Sequence, residues 1–151
     1  MAAERHYLDA VLLHGEGRLA NADHHFGYAT ECALKSLLMR EGEVKVDPPQ
    51  PGKHPAGKPY GESADGKKKY WIGHLPHLVS DVALVLHGRT NTRLVMQLDD
   101  LALLDAFDGW DVQDRYLDGV AVREPDVARR RTVAERTLSM QQQTHLPGVR
   151  P

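Results

Sequence analysis

Nine histidines are the first residues in this chain that could do chemistry. A neutral imidazole ligates metals, and a titrating one moves protons near neutral pH. His24 and His25 adjoin, and His74 and His77 stand three apart at an expected helix start. Neither pair is a helical HxxxH, and the sole cysteine, Cys32, partners neither. The spacing therefore predicts surface or helix-capping histidines and no metal site. No phosphate-cradling glycine loop, serine elbow or zinc-protease signature occurs, so no cofactor is implied and standard nucleotide-dependent or hydrolytic chemistry is disfavoured.

Charged residues form the other candidate sites. Glu31 and Lys35 lie four apart in the favourable acid-before-base order, which reads as a helix-surface pair or, with a cation such as Arg115 between helices, as a buried polar centre. Asp99, Asp100, Asp105, Asp108, Asp111 and Asp114 make an acidic run that matches no defined cation loop and reads as a solvated face. Arg129, Arg130 and Arg131, with Arg123 and Arg136 nearby, gather positive charge on the last helix. Lys67, Lys68 and Lys69 close a stretch, residues 45 to 69, holding six lysines against Asp47, Glu62 and Asp65. These two groups are the candidate phosphate or RNA contacts.

The elements that must position these residues are helical. Apolar side chains recur at helical spacing from Glu4 to His14, then from Arg18 to Arg40, where Ala20, Ala22, Gly27, Ala29 and Ala33 leave room for close neighbours. Gly15 and Gly17 break the chain between them. Five prolines and four glycines between residues 45 and 69 predict a long loop without helix or central strand. Helices are expected from Leu75 to Leu86, from Thr92 to Phe107 and from Pro125 to about Gln143, the last with a thin inward stripe of Val127, Ala134 and Leu138. A thin stripe suits a peripheral position or completion by a second subunit. The expectation is an all-α, antiparallel four- to five-helix bundle, one domain over residues 1 to 146, with a disordered tail from 147 to 151.

With 151 residues, 41% hydrophobic and 26% charged, the chain has the composition of one globular domain. A net charge of -2 supplies no global attraction to nucleic acid or membrane, so any such binding must be local. The absence of a signal peptide or a span of about 20 apolar residues, with one cysteine, points to the cytoplasm.

The segments Arg18 to Leu38, His74-Leu75-Pro76-His77-Leu78 and Trp110 to Tyr116, centred on Gly27-x-Ala29-x-Glu31-x-Ala33-Leu34-Lys35, resemble a HEPN-type helical domain. The resemblance covers about Arg5 to Tyr116, with the lysine-proline stretch as an insertion. It implies a helical bundle, commonly a homodimer, in a family holding metal-independent ribonucleases of toxin-antitoxin and defence systems and also non-catalytic partners of nucleotidyltransferases. It adds Tyr116 to the polar centre of Glu31, Lys35 and Arg115. Active members carry an arginine followed by a histidine on a late helix, and no late arginine here has one at that distance. Arg18 and His24, with Tyr28 beyond, have the right separation but lie on the central helix. The expected function is a dimeric binding or accessory domain, associated with RNA or nucleotides. The alternatives are a ribonuclease using Arg18, His24 and Tyr28, and a small-ligand-binding bundle around Glu31.

Overall fold

The computed structural model describes residues 1–40, 44–48, 57–63, 65–78, 103–116, 119 and 121–143. Helix α1 runs Ala2–Gly15 and α2 runs Leu19–Arg40. They are joined by a reversal in which Gly17 has a left-handed φ of 72° and the Arg18 amide donates to the Leu13 carbonyl. A side chain at Gly17 would be strained there. After α2 come three short strands, β1 Lys45–Val46, β2 Pro59–Glu62 and β3 Lys69–Trp71. A short helix α3, Leu103–Phe107, leads to a 3-10 turn at Val112–Tyr116, and α4 closes the described chain at Glu124–Gln143.

The protein is mostly helical, and α1, α2 and α4 all pack against one another. Close approach follows from the small residues of α2: Ala22, Ala29 and Ala33 are fully buried. Gly27 receives the six-membered ring of Trp110, which a Cβ at that position would strike. One apolar centre joins Ala10, Phe26, Val127 and Ala134; a second joins Leu34, Leu38, Val44, Ile72, Phe107, Trp110 and Val133. Burying the larger of these, such as Phe26, Leu34 and Leu38, contributes roughly 1.5–3 kcal/mol each. No helix of the described residues is long and apolar enough to cross a membrane.

The stretch from 45 to 69 is not wholly a loop, and the expectation of no central strand is overturned. The strands form an antiparallel sheet in the order β1-β2-β3, with Tyr60 opposite Trp71 and Glu62 opposite Lys69. Pro59 is tolerated because it opens the central strand, and its carbonyl accepts from the Ile72 amide. Val44 and Ile72, at the two ends of the sheet, anchor it in the second apolar centre.

Helix α4 is not peripheral. It buries Val127, Val133, Ala134 and Leu138, but also Arg130, Thr137 and Gln141. The inward stripe is complete once its polar members are counted. Of the expected helix at 75 to 86, the described part is a turn at Leu75–Pro76 followed by the helical His77 and Leu78; the rest, most of the 92 to 107 helix, Asp99, Asp100 and the 147 to 151 tail lie outside the described residues.

Candidate nucleic-acid interface

The turn between β2 and β3 is pinned by its own backbone and short side chains. The Ser63 amide donates to the Lys68 carbonyl at 2.9 Å, and the Gly66 amide to the Ser63 carbonyl at 2.8 Å. Asp65 accepts from the Ser63 hydroxyl and the Lys67 amide, which hold its carboxyl below the usual range. Gly66, with φ of 69°, supplies the left-handed corner. The consequence is a fixed presentation of Lys67 and Lys68, both exposed.

Two aromatic rings follow directly. Tyr70 is 48% and Trp71 52% exposed, on β3 at the edge of the sheet. Successive strand residues face opposite sides, so the two rings serve the two faces. Trp71 sits edge-on to Tyr60 with centroids 5.9 Å apart, and Lys69 Nζ lies 4.1 Å above the Tyr60 ring. Lys69 is therefore a bracing residue: its ammonium donates to Asp47 Oδ1 at 3.0 Å, which raises its pKa. Lys45 is similarly paired with Glu62 at 2.6 Å. Exposed rings beside cations are what a single-stranded nucleic acid needs, since bases stack on aromatics while phosphates meet lysines.

The arginine triplet behaves differently from its expectation as one basic surface, because successive helix residues point about 100° apart. Arg130 is buried: Nη1 donates to Asp23 Oδ2 at 2.6 Å and Nε to the Ala106 carbonyl at 2.9 Å. It is unavailable to RNA. Arg131 is half-buried, 3.5 Å from His14 Nδ1, while His14 Nε2 meets Glu124 at 2.8 Å. Arg129 is exposed and 3.4 Å from Asp126.

Asp23, Arg123, Arg129 and Arg130, with Asp108, Asp114 and Asp126, line a cleft of about 410 Å³. Its charges are mixed, not basic. Burial pushes the Asp23 carboxyl up, against the opposing hydrogen bond and charge of Arg130. His24 contributes to the cleft wall, yet both its ring nitrogens are shielded from solvent. Its ring stacks on Trp110 at 5.7 Å and meets Tyr28 edge-on at 4.5 Å. Arg18 is exposed just before α2, while His24 and Tyr28 are half-buried on the helix itself.

Glu31 and Lys35 do pair, at 2.7 Å, in a buried setting. Their third member is His74, whose Nδ1 lies 2.9 and 3.1 Å from the two Glu31 oxygens. The Arg115 side chain is outside the described residues, and Tyr116, 72% exposed, is no part of a buried centre. The acidic run caps the 3-10 turn, with Asp111 accepting from the Gln113 amide and Asp114 from the Asp111 amide. A group able to hold a metal ion is His6, Asp9 and His25, split between α1 and α2 and so invisible to spacing along one helix. Tyr70 and Trp71 were equally unmarked, because the apolar pattern alone does not say which aromatics stay exposed. Their position directly after three lysines was the available signal.

No family model, curated protein or solved structure matches this chain.

Proposed function

We propose that this chain is a HEPN-like binding or accessory domain that holds single-stranded RNA on its small sheet, Lys67 and Lys68 meeting phosphates while Trp71 stacks on a base. The observation that carries the reading is the half-exposed Trp71 ring closely following a pinned, lysine-bearing turn. Stacking of this kind contributes roughly 1–3 kcal/mol per base. In a chain of net charge -2, a local site of this sort is what makes RNA binding feasible. Binding without cleavage fits the buried imidazole nitrogens of His24 better than the ribonuclease alternative does.

Fluorescence anisotropy with a labelled single-stranded RNA tests this. Two phosphate contacts correspond to a slope of log K against log salt of about -1.4. Lys67→Ala/Lys68→Ala flattens that slope, whereas an unchanged slope in the double variant sinks the reading. A second copy is the partner it carries: Leu8 and Leu12 are exposed one turn apart on α1, and a dimer closed there dissociates in Leu8→Ser/Leu12→Ser by sedimentation. A nucleotidyltransferase-like protein is the further partner that the HEPN likeness suggests.

A further inference from the structure

We propose that His6, Asp9 and His25 form a tetrahedral binding site for a zinc-class divalent transition-metal ion, clasping α1 to α2. His6 and Asp9 lie three apart and so share a face of α1, and His25 meets them from α2. Each offers a ligand atom within 4.8 Å of the others. The two Nδ1 atoms face one another at 3.4 Å. Two nitrogens bound at about 2.0–2.1 Å to a tetrahedral ion stand roughly 3.3–3.4 Å apart, so the rings already hold the required bite. With the ion bound, each Nδ1 gives it a lone pair and the ring proton stays on Nε2.

Two imidazoles and one carboxylate suit zinc, cobalt or nickel; magnesium and calcium prefer all-oxygen shells. Both histidines are half-buried and Asp9 is exposed, which leaves the fourth position to water. The Tyr28 ring, 5.4 Å from His6 and 6.4 Å from His25 by centroid, backs the pair.

The full chain, stripped with EDTA and dialysed, is titrated with cobalt(II) chloride and then zinc sulfate. The proposal predicts visible bands of tetrahedral cobalt that saturate near one ion per chain and are displaced by zinc. Removing an outer-shell partner alone weakens metal binding about 10–100-fold, so His6→Gln and His25→Gln should each lose at least tenfold. Asp9→Asn, at an exposed position, weakens binding without disturbing packing, and His77→Ala leaves it intact. Circular dichroism checks that the histidine variants remain helical. Absence of saturable binding overturns the proposal, as does binding retained in His6→Gln, His25→Gln and Asp9→Asn alike.

Discussion

Arg130 on α4 donates to Asp23 on α2 across 2.6 Å, tying together residues 107 positions apart in a setting almost closed to water. The guanidinium also reaches the Ala106 carbonyl, so one side chain links α2, α3 and α4. Asp23 Oδ1 finds no hydrogen-bond partner among the described residues. The pair thus fixes how the helices meet at considerable desolvation cost.

Truncating one partner leaves the other charge buried and alone, which costs about 3–5 kcal/mol. Arg130→Ala should lower stability by that amount in urea unfolding. Asp23→Ala/Arg130→Met should recover part of the loss, because an apolar pair leaves no orphaned charge. Additive losses in the double variant would show that the two residues act separately.

The same carboxyl gives a pH signature. Burial raises its folded pKa above the unfolded value of about 3.9, so between those values the folded chain holds more protons than the unfolded one. Stability from this group then falls as pH rises through the window. Wild type should gain on Asp23→Asn as the pH drops from about 7 towards about 4. A difference constant with pH contradicts the assignment.

Gly27 is tested by its neighbour. Trp110 is 1% exposed and its ring lies on the glycine, and overpacking a filled site costs about 1–3 kcal/mol. Gly27→Ala should therefore destabilise in thermal unfolding although alanine is the better helix former. A rise in Tm would place the ring elsewhere.

Glu31 accepts from both Lys35 and His74 while buried. Glu31→Ala strands the largely buried Lys35 ammonium, while the exposed His74 turns to water, and a hydrogen bond to a charged group is worth about 1.5–3 kcal/mol. A loss above about 1.5 kcal/mol is expected, against almost none for an exposed helix pair.

How much of this could be read from the chain depends on the range of the interaction. The α2 helix was readable because its small and apolar residues recur at helical spacing, and Glu31 with Lys35 because four residues make one turn. His74 was not, since it reaches Glu31 from 43 positions away. Helix α4 looked thin because Arg130, Thr137 and Gln141 occupy inward positions; Arg130 is made acceptable there by Asp23, and Thr137 by its own bond to the Val133 carbonyl. The strands, two to four residues long, are too short for alternation to show. The lysine triplet was visible as charge, but only the pairing of Lys69 with Asp47 separates the bracing lysine from the two that face solvent.

The most direct test uses the emission of Trp71, since Trp110 is buried and Trp71 exposed. Titration with single-stranded RNA should quench wild-type fluorescence saturably. In Trp71→Phe the quench should vanish, and in Lys67→Ala/Lys68→Ala it should require far more RNA. Emission unchanged by RNA in the wild type, or quenching that persists undiminished in Trp71→Phe, contradicts the sheet as the binding surface.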